Sequence, residues 1–206
     1  MARVDLHVHS SASFDCSVPP LEVARRLRSY GMAPVFLTDH DTVEGAAGLG
    51  RQEGVRVVTG QEVSTRQGDL IGLFLVEAVA PGLTAEETVG RIKEQGGLVY
   101  VPHPFDRRRR ALELATLDRL RRRIDIVEVF NGRSSAECNR LAEEACATIG
   151  AIAGAGSDAH SLEELGGVHV EMEDFEGPGD FLSKLERGRI VLSGSRWRRR
   201  LGRLVL

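Results

Sequence analysis

Five of the six histidines in this chain fall in four short clusters. These are Asp5-Leu6-His7-Val8-His9, Thr38-Asp39-His40-Asp41, Val101-Pro102-His103-Pro104 and Ser157-Asp158-Ala159-His160. Each cluster carries a carboxylate or lies near one, and Glu62, in Gly60-Gln61-Glu62, adds another between the second and third. Imidazole mixed with carboxylate suits Zn, Mn or Fe better than Ca, which prefers all-oxygen shells. Ligands spread over most of the chain can serve more than one ion. The chemistry they point to is hydrolysis by a metal-ionised water. No serine or cysteine nucleophile is needed. The sixth histidine, His169, stands outside any cluster and reads as a structural strand residue.

The elements that must position these residues alternate from end to end. Residues 3–9 alternate like a strand, with Asp5, His7 and His9 on one face, so Asp5 is expected to hold the second nitrogen of a histidine. Residues 20–30 read as a helix opened by prolines and stopped by Gly31. Strands are expected at 35–38, 55–59, 70–76, 98–101, 124–130, 151–155 and 168–172. Helices are expected after the capping boxes Asp41-Thr42-Val43-Glu44 and Thr84-Ala85-Glu86-Glu87, at 111–122, after Ser134-Ser135-Ala136-Glu137, and at 178–187. Ser161 to Glu164 opens a short turn. Pro104 disfavours the helical region for His103, so an extended backbone is expected there. Strand–helix alternation implies a mostly parallel sheet, and the polar clusters follow strand ends. A closed α/β barrel would bring those ends together on one face.

At 206 residues the chain reads as one domain over 1–192, with a basic tail over 193–206. The net charge of −3 gives no global pull toward nucleic acid. The tail, Arg196-Trp197-Arg198-Arg199-Arg200, reads first as a solvated segment, then as a weak contact for an anionic membrane or a protein. Three cysteines without paired spacing (Cys16, Cys138, Cys146) fit a reducing cytoplasm. Neither a signal peptide nor a spanning helix is expected.

The ordered blocks give the chain a family resemblance. Asp5-Leu6-His7-Val8-His9-Ser10, Leu37-Thr38-Asp39-His40-Asp41-Thr42, Gly60-Gln61-Glu62, His103-Pro104, Glu128-Val129-Phe130-Asn131 and Gly156-Ser157-Asp158-Ala159-His160 resemble the PHP family, named for polymerase and histidinol phosphatase. The resemblance covers residues 3 to about 192. It implies a distorted (β/α)7 TIM-like barrel holding two or three divalent ions (Zn, Mn or Fe). By the same resemblance, His7, His9, Glu62 and Asp158 would ligate a first metal. Glu62 would bridge to a second, shared with His103 and with Asn131, which stands where many members carry histidine. His40 and His160, joined by Asp15, would ligate a third. Glu128 would substitute for the weak amide ligand, although its period-two relation to Phe130 points it elsewhere.

The implied activity is in-line attack on a phosphoester, a small phosphomonoester or a nucleotide phosphate, by a metal-bridged hydroxide, with Asp158 or His160 managing the proton. Phosphate also calls for a bidentate cation. Arg133 is the first candidate and one of Arg107 to Arg110 the second. Two rivals are weighed: a non-catalytic metal-binding scaffold and an amidohydrolase cleaving amides or lactones. The latter commonly bridges two metals with a carboxylated lysine, and this chain has only Lys93 and Lys184, both in expected helices.

Overall fold

A computed structural model describes residues 1–193. Residues 194–206, which hold all the arginines of the basic tail, lie outside the described residues. Among those described, no helix is long and apolar enough to cross a membrane.

The chain builds a mixed α/β fold around one curled sheet. Its elements run β1 (Ala2–Val4), α1 (Pro20–Ser29), β2 (Val35–Leu37), α2 (Glu44–Gly50), β3 (Val57–Thr65), β4 (Gly68–Leu73), α3 (Ala85–Glu94) and β5 (Leu98–Val101). They continue with α4 (Leu114–Leu120), β6 (Ile126–Asn131), α5 (Ala136–Ile149), β7 (Ile152–Gly156), β8 (Val168–Met172), α6 (Gly177–Leu185) and β9 (Arg189–Leu192). The main sheet has the order β2-β3-β4-β5-β6-β7, and a smaller antiparallel sheet has the order β1-β8-β9.

The expected closed (β/α)7 barrel is met only in part. β3 runs on past Thr59 and folds back as an antiparallel hairpin, pairing Gly60–Thr65 with Gly68–Leu73 of β4, so no helix separates these two strands. β4 is also antiparallel to β5, while β2–β3, β5–β6 and β6–β7 are parallel. The predicted strand 3–9 breaks after Val4. Residues 6–9 instead lie between the sheet edges. Leu6 N–H donates to Ala155 O, Asp158 N–H to His7 O, His9 N–H to Ala159 O, and Thr38 N–H to Val8 O. They make isolated bridges there and no continuous strand.

Alternation places the core. Inward residues Val4, Leu6, Phe36, Ile71, Tyr100, Ile126 and Ala155 pack with Val168, Val170, Met172 and Phe181. Outward residues of the sheet pack under α3, α4 and α5 (Val63, Val89, Ile92, Val99, Leu117, Val127, Cys146). Val23, Leu27, Leu37, Ala46 and Leu49 seat α1 and α2. The Thr84 capping box forms as predicted. The box at Asp41 does not, because that carboxylate accepts from Ser64 N–H and α2 begins at Glu44 without a side-chain cap. Ser135, one residue later than expected, caps α5 by accepting from Cys138 N–H.

Candidate metal centre

Every predicted site residue sits on one end of the curled sheet. His7 and His9 lie on the segment after β1, His40 beyond β2, Glu62 within β3, His103 after β5, Asn131 at the end of β6, and Asp158 and His160 after β7. Glu62 is the hub. Its Oε2 is 3.0 Å from His7 Nε2, 3.3 Å from His9 Nε2 and 3.6 Å from His40 Nδ1, and its Oε1 is 2.9 Å from His103 Nε2. Asp158 Oδ1 is 3.5 Å from His9 Nε2 and 3.8 Å from His7 Nε2. Asp15 Oδ2 lies 3.0 Å from His160 Nε2 and 3.5 Å from His40 Nε2. Three overlapping groups could each hold an ion: His7-His9-Glu62, His7-His103-Asp158, and His9-Asp15-His40-His160.

Hydrogen bonding decides whether a cation fits. His7 Nδ1 is 3.1 Å from Glu128 Oε1 and must donate to it, which leaves a lone pair on Nε2. The Ser13 hydroxyl gives its only proton to Asp39 Oδ1, so His9 Nδ1, 3.1 Å from Ser13 Oγ, also donates. The Nε2 atoms of His7 and His9 are then lone pairs 3.0 Å apart, both facing a Glu62 oxygen. Three acceptors converge with no donor between them. Spacings of about 3.0–3.4 Å are the edges of an octahedron or tetrahedron around an ion bound at about 2.1 Å. The residues therefore fit a divalent metal. The carboxylates around these rings favour positive charge at this point. Burial lowers the pKa of His7, but Glu128, Glu62 and Asp158 outweigh it and raise the value well above the ordinary one. Burial, with the charge on His7, leaves His9 lowered despite Glu62. Burial pushes Glu62 up, yet His7 and the ring bonds hold it well below the usual carboxylate range.

Backbone strain accompanies the site. His103 has φ +31°, not the extended conformation expected before Pro104, while Asp158 has φ +55° and Asp41 φ +57°. Such conformations cost about 1–3 kcal/mol each and persist where surroundings over-determine them. Those surroundings include Glu128, which accepts from His103 N–H at 2.8 Å, and His7 O, which accepts from Asp158 N–H. Two glycines admit the cluster. A Cβ at Gly156 would lie 2.3 Å from His7 Cβ, and one at Gly45 would lie 2.2 Å from Asp39 Oδ2.

Several expectations are corrected. Asp5 does not reach a ring nitrogen; its Oδ1 accepts from the backbone N–H of His7 and Ser157, and burial raises its pKa to about 7. Glu128 fills the predicted role of Asp5. A register shift between Glu128 and Phe130 breaks the period-two relation that pointed Glu128 away. Its carboxylate receives His7 Nδ1, Tyr100 OH, His103 N–H and Asn131 Nδ2. Asn131 turns its oxygen to the N–H groups of Arg133 and Ser134 and gives its NH2 to Glu128 and Asp158, so its oxygen does not face the cluster.

Arg133 Nη1 lies 2.7 Å from His160 Nδ1 and 4.0 Å from Asp158 Oδ1. From the arginine run it is Arg109 that arrives, its Nη1 2.9 Å from Asp158 Oδ2. Arg110 instead pairs with Asp69. The Ser10–Ser13–Asp39 group that sets the tautomer of His9 went unread in the sequence, although Ser10 and Asp39 sit inside the quoted blocks. His169 is a buried strand residue of β8 outside the cluster, as expected; neither ring nitrogen has a hydrogen-bond partner among the described residues, and its Nε2 lies 3.8 Å from Glu171 Oε1.

Comparison with known proteins bears on the family and the fold. A family profile described as PHP-associated matches residues 136–190. Two uncharacterised proteins of Methanocaldococcus jannaschii are similar to the chain. One is 34% identical over 190 residues, covering 88% of this chain and 76% of that protein. The other is 39% identical over 144 residues, covering 63% and 81%. Among solved structures, PsfC from Pseudomonas syringae has a TM-score of 0.72 at 17% identity over 96% of this chain and 95% of that one. A lesion-specific endonuclease from Pyrococcus furiosus has a TM-score of 0.65 at 19% identity, covering 92% and 57%. A two-domain Bacteroides vulgatus protein containing a predicted PHP-like metal-dependent phosphoesterase has a TM-score of 0.62 at 18% identity, covering 82% and 57%. At these identities the structures establish the fold alone.

Proposed function

The chain belongs to the PHP-domain family, and from that premise we propose that it is a metal-dependent phosphoesterase acting on a small phosphorylated substrate. The observation that carries this reading is the pair of guanidiniums, Arg109 and Arg133, converging on Asp158 at the edge of an imidazole–carboxylate cluster. An anionic, tetrahedral group is what two such forks recognise beside a metal centre. His7, His9, Glu62 and Asp158 would hold one ion, Glu62 and His103 would share a second, and His40, His160 and Asp15 would hold a third. When bound, Zn, Mn or Fe supplies a water ionised near neutral pH and neutralises phosphoryl oxygens.

The protein's own groups do the rest. Glu128 and the Ser13–Asp39 pair fix the tautomers of His7 and His9, keeping both lone pairs in the cluster. Arg109 and Arg133 orient the phosphoryl group and balance its charge. His160 is held at both ring nitrogens. Its Nδ1 lies 2.9 Å from the Asp158 carbonyl, which accepts from it when it carries the proton, and 2.7 Å from Arg133 Nη1, which donates to it when it does not. Each tautomer has a partner, and Nε2 meets Asp15. Held at both nitrogens, His160 would serve as a ligand rather than as the acid.

The amidohydrolase alternative finds little support, because Lys93 pairs with Asp125 and Lys184 with Asp180, both away from the cluster. An endonuclease and a predicted PHP-like phosphoesterase are among the structural neighbours beside an amidohydrolase, so the neighbours by themselves choose neither chemistry. The three free cysteines favour a cytoplasmic setting.

The test is to strip the protein with a chelator, reload it with Mn, Zn or Fe, and assay phosphomonoesters, nucleotide phosphates, amides and lactones. Metal-restored turnover of a phosphate ester, with KM raised about tenfold or more in Arg109→Met and Arg133→Met, is expected. A fully metallated protein inert on every phosphate ester would overturn the reading.

A further inference from the structure

The ring histidines form a row that climbs out of the site. His7 and His9 are 5.0 Å apart between centroids, His9 and His40 stack at 4.6 Å, and the ring of Phe14 continues the row 5.2 Å from His40. The first two rings are buried, that of His40 is largely so, and Phe14 is 84% exposed. Among the described residues, Phe14 is the one exposed large apolar side chain whose ring meets a histidine of the site.

Its loop is firmly pinned. Ser11 N–H donates to Val18 O, Ser13 N–H to Ser10 O, the Ser13 hydroxyl to Asp39, and Cys16 Sγ–H to His160 O. The backbone thus holds a hydrophobic ring in water beside the cluster, where it buries almost nothing of its own. A ring so placed gains its burial from a ligand. Arg109 and Arg133, the phosphate anchors, reach the site through Asp158 and His160, while Phe14 reaches it through His40. A phosphate ester gripped by the arginines can extend its leaving group past His40 to that ring.

We propose that Phe14 is a specificity-determining residue that selects phosphate esters whose leaving group carries a flat unsaturated ring, by stacking on its exposed face. This rests on the phosphoester reading above. Stacking of this kind is sequence-tolerant and moderate in strength.

The test compares kcat/KM for adenosine 5′-phosphate and glycerol phosphate in the metal-loaded wild type, Phe14→Ala and Phe14→Trp. The preference for the ring-bearing ester falls about 5- to 150-fold in Phe14→Ala and is retained in Phe14→Trp. An unchanged preference, or equal loss on both esters, overturns the proposal. A second readout is calorimetric binding of a non-hydrolysable phosphonate analogue of adenosine 5′-phosphate, with inorganic phosphate as control. If wild type cleaves neither ester, the phosphoester reading is decided by the wider ester panel above, and the phosphonate still decides the stacking. Weaker analogue binding in Phe14→Ala, with phosphate binding kept, supports it. Equal analogue binding sinks it.

Discussion

Replacing Glu128 by glutamine should weaken metal binding without touching a group proposed above to hold an ion. Each oxygen of Glu128 faces two donors: Oε1 meets His7 Nδ1 and Tyr100 OH, and Oε2 meets His103 N–H and Asn131 Nδ2. A glutamine has one oxygen for these two pairs. If its NH2 faced the second pair, it would oppose a backbone N–H that cannot change. The NH2 must therefore face His7 and Tyr100, both of which can become acceptors. His7 then carries its proton on Nε2, where it blocks the lone pair aimed at Glu62 and His9. Restoring the metal-binding tautomer leaves a buried donor unsatisfied, at about 1–3 kcal/mol. Metal affinity should fall about 10- to 100-fold, the range usual for losing such an orienting partner. The assay is competition for Zn or Mn against a chromogenic chelator, with thermal unfolding in EDTA to show that the variant folds. Affinity within threefold of wild type would refute the tautomer argument.

Two further outcomes follow from burial and packing. Burial first, and the nearby charge of Glu62 second, raise the pKa of Asp69 from 3.8 to about 6 despite its bond to Arg110. Between those values the folded state binds more protons than the unfolded one, so stability falls as pH rises from about 4 to 6 and then levels off. The stability difference between wild type and Asp69→Asn in EDTA should shift by on the order of 3 kcal/mol across that window, and a flat difference in urea titrations would contradict it. Gly156→Ala puts a Cβ 2.3 Å from His7 Cβ and 2.8 Å from Glu128 Oε1, so it should lower the melting temperature and weaken metal binding together. Loss of one without the other would show that the strand yields locally.

Much of this architecture is readable from residue pattern, and the exceptions share a cause. The alternation of strands and helices and the gathering of the histidine clusters at sheet ends follow from periodicity and from where polar residues interrupt it. What pattern missed is set by partners distant in sequence. Glu128 faces inward because of a bulge that no local period announces. Asp41 abandons its helix cap for Ser64 on a neighbouring strand. His103 gives up the extended backbone favoured before proline because its N–H is held by Glu128. The β3–β4 hairpin continues through Gly60-Gln61-Glu62, which reads as a polar loop. β9 is hard to read in the sequence because its four residues lie just past α6, beyond Gly188, and open with an exposed arginine.

The wedged position of residues 6–9 bears on how the protein is born. Asp5 is tied to Ser157, 152 residues further along, and His7 and His9 take backbone partners from the same late stretch. The ribosome releases the first stretch long before the last, by roughly 8–30 s at ordinary elongation rates. During that interval His7 and His9 lack the neighbours that lock them in place. Completion of the imidazole–carboxylate cluster is thus a closing event of biogenesis, reached only once the nascent chain has delivered Asp158.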